Sequence, residues 1–162
     1  MDERDIRLLK AIADLGTGSP EKLHEETGIP VSTIHYRLNN LREAGVIEND
    51  CYDFDLDELG LGVTVIIEVL APYNDSYETI SEKLLAIEGV TNVYFTLGEK
   101  DFVAIARVSD ADKVERLVED FNAIDEVERT FSRLVIKPLR EDTRALGSYS
   151  LETLEDELID DE

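Results

Sequence analysis

The sequence predicts an α+β protein of two domains, and three patterns predict it. The stretch from Pro20 to Ile47, PEKLHEETGIPVSTIHYRLNNLREAGVI, reads as two short amphipathic helices around a turn at Gly28, a helix-turn-helix. Beyond residue 61, strand-like and helical apolar segments follow one another in the order βαββαβ. Between the two, Asp50 to Leu61 mixes turn formers with alternating apolar residues, which suits a linker with a short strand over residues 51–61. With 162 residues, 43% of them hydrophobic, the chain can bury two small cores.

In the first domain, residues 1–50, a helix from Asp2 to Leu15 places Ile6, Leu9 and Ala13 on one stripe, the third wall of a tri-helical core. The next helix, Glu21 to Thr27, contributes Leu23 and stops at Gly28, where a residue without Cβ admits left-handed backbone; Pro30 cannot continue it. In the following helix Ile34, Leu38 and Leu41 recur at i, i+4, i+7 and face the core. At 100° per residue the opposite face carries Ser32, Tyr36, Asn39 and Asn40, flanked by Thr33, His35, Arg37 and Arg42. These side chains suit double-stranded DNA: Asn can hold adenine bidentately in the major groove, while Arg and hydroxyls can hold phosphates. Gly45-Val46-Ile47 leads out of the unit.

The second domain, residues 62–138, opens with GVTVIIEVL, Gly62 to Leu70, β-branched and apolar on both faces. Ser76 to Ile87 has helical spacing at Ile80, Leu84 and Ile87. Thr91 to Leu97 and Phe102 to Val108 read as strands around the turn Gly98-Glu99-Lys100-Asp101. Asp110 to Asn122 is a helix with Val114, Leu117, Val118 and Phe121 inward, and a strand from Thr130 to Lys137 closes the set. This order describes a ferredoxin-like split arrangement: four antiparallel strands with two helices on one face. The other face then lacks cover, and sheet-to-sheet homodimerisation is the economical solution; a dimer offers two reading heads to two half-sites. In the acidic extension, residues 139–162, Leu151, Leu154 and Leu158 outline an amphipathic helix, either docked or solvated.

Composition narrows the classes. The apolar run from Leu59 to Leu70, about 12 residues interrupted by Glu68, is too short to span a bilayer. The charged start Met1-Asp2-Glu3-Arg4-Asp5 does not read as a signal, so a cytoplasmic location is expected, with no membrane partner. Cys51 is an isolated linker residue, and with only His24 and His35 besides, no metal site or cofactor is expected. The net charge of -22 runs against a basic DNA-binding patch. It is unevenly spread: -4 over residues 1–50 and -18 over 51–162. Such acidity, with Lys scarce, suits a salt-loaded cytoplasm, where readout must rest on base contacts and dimer geometry.

Residues scattered in order over both domains resemble the Lrp/AsnC (feast/famine) transcriptional regulators. They are Asp2-Glu3-Arg4-Asp5-Ile6 with Leu8-Leu9, Gly28-Ile29 followed by Ser32-Thr33-Ile34, Arg37-Leu38 and Leu41, then Gly45-Val46-Ile47, Leu59-Gly60, Gly89-Val90, Gly98 with Asp101, and Val127 to Ser132. The resemblance covers about residues 1–138. It implies an N-terminal winged helix-turn-helix, a C-terminal RAM effector domain, assembly of dimers into tetramers or octamers, and regulation by a small molecule, often an amino acid. Carried over by position, the effector site would form around Gly98, Glu99 and Asp101, with Thr130 and Ser132 nearby. Asp101 or Glu99 would accept from an ammonium group and Thr130 would donate to a carboxylate; Gly98 and Asp101 also serve a hairpin turn in their own right. Two departures stand out. Pro30-Val31 replaces the usual Ser cap, leaving Ser32 as the candidate cap, and Asn39 and Asn40 stand where the family tends to be basic.

Two other classes remain in view. An enzyme on the same scaffold, as in the sirohaem decarboxylases, would need cationic or imidazole groups in the second domain, and both histidines lie in the first. An adaptor would use the acidic surface and extension to bind another protein.

Overall fold

The computed structural model describes residues 1–49, 53–71, 77–141 and 144–159. Asp50, Cys51 and Ser76 of the readings above lie outside the described residues. The chain divides into two compact units, Met1–Tyr52 with Arg140–Glu162, and Asp53–Leu139.

In the first unit α1, Glu3–Leu15, opens on a capping box. The Asp2 carboxylate accepts from the Asp5 N–H, and the Asp5 carboxylate accepts from the Asp2 N–H, each at 3.0 Å. Pro20–Thr27 forms α2, with proline in its first turn, where a missing N–H costs nothing. Val31–Glu43 forms α3. Its start corrects the expectation for Ser32: Pro30 occupies the N-cap position, its carbonyl accepting from the Ile34 N–H at 3.0 Å, and no side chain caps the helix. Proline presets φ near the helical value, so the helix begins early and Ser32 lies within its first turn.

The tri-helical core joins Leu8, Ala11, Leu23, Ile29, Ile34 and Leu38. This shifts the stripe expected on α1. Leu9 and Ala13 are buried but lie outside that cluster. At 100° per residue they fall on another side of α1 from Leu8 and Ala11, so α1 is apolar on two sides and needs cover from both. The extension supplies the second cover. A 3₁₀ turn, Ala145–Ser148, and α6, Leu151–Leu158, pack against α1. The Ser150 hydroxyl caps α6 by accepting from the Thr153 N–H at 3.1 Å, and Leu154 is only 4% exposed. Gly16, the left-handed C-cap of α1, sits so close to the Arg144 guanidinium that a Cβ there would collide with it.

The second unit is a four-stranded antiparallel sheet in the order β2-β3-β1-β4, with β1 Val63–Leu70, β2 Val90–Phe95, β3 Phe102–Val108 and β4 Arg129–Leu134. The helices are α4, Tyr77–Leu85, and α5, Ala111–Asn122. Val65, Ile67 and Val69 pair with Ala106, Ala104 and Phe102, and this face packs on Ile80 and Leu84 of α4 and Leu117 and Phe121 of α5. Period-2 alternation puts Ile66, Glu68 and Leu70 of β1, Val103, Ile105 and Arg107 of β3, and Phe131 and Arg133 of β4 on the other face, away from α4 and α5, where no helix of the second unit packs among the described residues. The strand expected over residues 51–61 is absent among the described residues 53–61. There the Asp55 carboxylate accepts from the Asp57 and Glu58 N–H groups at 3.0 and 3.1 Å, and the turn it forms takes the backbone out of strand geometry. No helix among the described residues is long and apolar enough to cross a membrane.

Because Leu154 fills the contact between α6 and α1, Leu154→Ala should cost about 2 kcal/mol or more. Amide exchange will locate the loss: α1 protection falls while that of β1 and β3 is unchanged.

Candidate nucleic-acid interface and ligand turn

The second face of α3 follows from its core face. With Ile34, Leu38 and Leu41 buried, Ser32, His35, Tyr36, Asn39, Asn40 and Arg42 are exposed, Tyr36 at 67%, and Thr33 is half-buried at the edge. The Arg42 guanidinium donates to the Asn39 Oδ1 at 3.3 Å. Bidentate adenine readout uses both the oxygen and the nitrogen of an Asn amide, and the Asn39 oxygen keeps a second lone pair for a base while it accepts from Arg42.

Arg37 lies elsewhere. Its Nη1 donates to both oxygens of Asp2, at 2.7 and 2.8 Å, and to Asp5 Oδ1 at 2.7 Å. The expected phosphate contact from Arg37 is therefore corrected: the guanidinium fastens the middle of α3 to the N-terminus of α1. The hydrogen bond to Asp5 does most to hold the Arg37 pKa up; burial opposes it, and Asp2 adds to it. Burial pushes the Asp2 carboxyl up, but the Arg37 hydrogen bond, the Asp5 N–H and the Arg37 charge outweigh it, and its pKa lies below the ordinary value. The cluster also offsets part of the negative charge that Asp2 and Asp5 bring to the border of the reading helix. Asp2, Asp5, Arg37, Tyr36 and Asn40 share one hollow of about 380 Å³. The capping-box pattern of Asp2 and Asp5 was readable in the chain; their partner 32 and 35 residues away was not.

At the far end of the sheet, the turn between β2 and β3 is tied down by Asp101. Its carboxylate accepts from the Ala71 N–H at 2.8 Å, its own N–H donates to the Val69 carbonyl at 3.0 Å, and its carbonyl accepts from the Thr96 N–H at 2.8 Å. Val69 pairs with Phe102 on one side and Thr130 on the other, so the structure brings the turn and Thr130 to one end of the sheet with β1 between them. Thr130 donates its hydroxyl to Asn122 Oδ1 at 2.9 Å. Gly98, Glu99 and Ser132 are exposed. Sequence reasoning passed over Lys100 as a turn residue, yet its Nζ lies 3.8 Å from the centroid of the Phe131 ring on β4. Only the sheet order makes that contact, and no local pattern announces it. His24 Nδ1 is hydrogen-bonded to the Ile29 carbonyl at 2.8 Å, and no three potential metal ligands gather among the described residues.

Comparison with known proteins gives two domain matches. Residues 1–48 match the winged helix-turn-helix DNA-binding family and residues 63–145 the Lrp/AsnC ligand binding domain family. The chain is 28% identical over 143 residues to the HTH-type transcriptional regulator FL11 of Pyrococcus horikoshii, an alignment covering 88% of this chain and 94% of that one. It is 34% identical over 124 residues to an uncharacterized HTH-type transcriptional regulator of the same organism, covering 74% and 81%. Among solved structures it resembles Escherichia coli AsnC, with a TM-score of 0.76 at 24% identity over 88% of this chain and 97% of that one. It also resembles a transcriptional regulator of Neisseria meningitidis in complex with L-Met, with a TM-score of 0.83 at 22% identity over 95% and 99%. The last two likenesses are of fold.

A carboxyl whose folded pKa is lowered adds stability above its unfolded pKa, about 3.9, and loses it as pH falls through the lower folded value. Asp2→Asn, which keeps an N-cap but not the charge, should therefore lower the Tm at neutral pH, and the gap to wild type should close below about pH 4. Asp101→Ala strands the Ala71 N–H and should cost about 1–3 kcal/mol in chemical denaturation, with no ligand present.

Proposed function

This chain belongs to the Lrp/AsnC family of DNA-binding transcriptional regulators, and we propose that it reads its sites through base contacts from α3 far more than through phosphate contacts. The observation that carries this reading is the polar face that α3 turns away from its core, where Ser32, His35, Tyr36, Asn39 and Asn40 stand exposed and Arg37 is spent on Asp2 and Asp5. Thr33 and Arg42 flank that face as hydroxyl and guanidinium contacts to the backbone of the duplex. With 16 cations against 38 carboxylates, few counterions are released from phosphates, so affinity falls only gently with salt. That behaviour suits a cytoplasm rich in salt, the setting the acidic composition points to.

The uncovered sheet face supports self-association. Ile66, Leu70, Val103, Ile105 and Phe131 form an apolar surface crossed by the ion pair of Arg133 Nη1 with Glu68 Oε1 at 2.6 Å. Pairing two such faces gives a homodimer with two reading heads, and dimers assemble further into tetramers or octamers. The turn at Gly98 to Asp101 is the effector site and an amino acid is its ligand, a class to which the L-Met in the complex of the Neisseria regulator belongs. Glu99 receives the ammonium group and the turn backbone receives the carboxylate, while Asp101 and Thr130 hold the frame. The protein acts by binding and not by catalysis, a reading that rests on relatives named as transcriptional regulators.

Selection from randomised duplex DNA in molar KCl tests the reading. Wild-type protein should enrich near-palindromic sequences, and Asn39→Ala/Asn40→Ala should lose the enrichment while still forming dimers. Retention of nothing specific by a folded dimer would sink it.

A further inference from the structure

A cleft of about 280 Å³ opens at the end of the sheet opposite the Gly98 to Asp101 turn, where β3 ends at Val108 and β2 begins after Gly89. The seven residues of β3 put the two ends about 20 Å apart, so the cleft is separate from the turn. Gly89, Val108 and Leu117 make an apolar floor, and Leu61, the second residue before β1, closes one side. The floor is stiff: the Arg107 N–H donates to the Gly89 carbonyl at 2.8 Å, and a Cβ on Gly89 would stand 2.9 Å from the Arg107 carbonyl oxygen.

One face of α5 lines the opening, with Lys113, Arg116, Leu117 and Asp120 at i, i+3, i+4, i+7. Asp110, three residues before Lys113, is taken up by the helix cap, accepting from the Lys113 N–H at 3.0 Å and the Ser109 hydroxyl at 2.8 Å. Arg116 meets Asp120 only at 3.9 Å, the outer limit of an ion pair. Lys113 and Arg116 thus crown an apolar floor that Arg107 also borders, in a chain with a net charge of -22, and Glu88 and Asp120 among the lining residues exclude strongly charged polyanions. We propose that this cleft binds a small organic monocarboxylate, its carboxylate held by Lys113 and Arg116 and its apolar body on Gly89, Val108 and Leu117. The volume lies at the low end of ligand pockets, which fits a body of a few carbons.

Calorimetric titration of the full chain with 4-methylpentanoate and with phenylacetate tests the proposal. At least one should bind saturably, with affinity lowered about tenfold or more by Lys113→Gln/Arg116→Gln and unchanged by Asp101→Asn, which lies at the other end of the sheet. The double variant alters exposed helix positions, and circular dichroism will verify its fold. Absence of saturable binding by both acids, or binding that the double variant leaves intact, would overturn it. Loss of DNA selection by the Asn39→Ala/Asn40→Ala protein has no bearing on this result.

Discussion

Scarcity of cations governs this structure. With 38 carboxylates and 16 lysines and arginines, most acids have no cation to pair with, and several of the cations join elements distant in the chain. Arg37 joins α3 to α1 through two carboxylates, Arg133 crosses from β4 to Glu68 on β1, and Lys83 of α4 reaches Glu126 before β4. Lys100 carries its charge over Phe131 instead of toward an acid. Exposed pairs of this kind contribute little individually, roughly 0–1 kcal/mol, and high salt reduces them further. Their value is geometric: each selects one packing among several that the apolar residues alone would allow.

The apolar cores carry the energy. In the second unit, Phe102, Phe121 and the β-branched residues of β1 fill the space between sheet and helices with almost no exposure. Small Ala104 and Ala106 on β3 let the helices approach the sheet closely. In the first unit the core is smaller, and the helix at its centre has more apolar surface than two partners can hide. A third cover was needed, and residues beyond the second unit provide it.

Much of this was legible in the chain. The two periodicities located β3 to the residue and α5 to within one residue, because Val114, Leu117, Val118 and Phe121 share a helical face; Asp110, read as the first helical residue, is its cap. Reading α1 as a single stripe failed because a helix buried on two sides shows two overlapping patterns, and local spacing cannot rank them. The linker strand failed because the Asp55 side chain competes for backbone N–H groups that alternation alone assigns to a ladder. For the reading helix, composition identified the exposed side chains but not the commitment of Arg37, which depends on where the ends of distant helices meet. Asp101 was placed correctly at the turn, yet its bond to Ala71 requires the β1–β3 pairing to exist first.

The docking of α6 on α1 gives the chain a particular order of completion. The second unit, Asp53–Leu139, contains everything its core requires once residue 139 has been made. The first unit does not, although its residues emerge earlier: α1 waits for α6. During synthesis α1 therefore lacks its contact with α6 until residue 158 has left the ribosome. The part of the chain translated first is the part finished last.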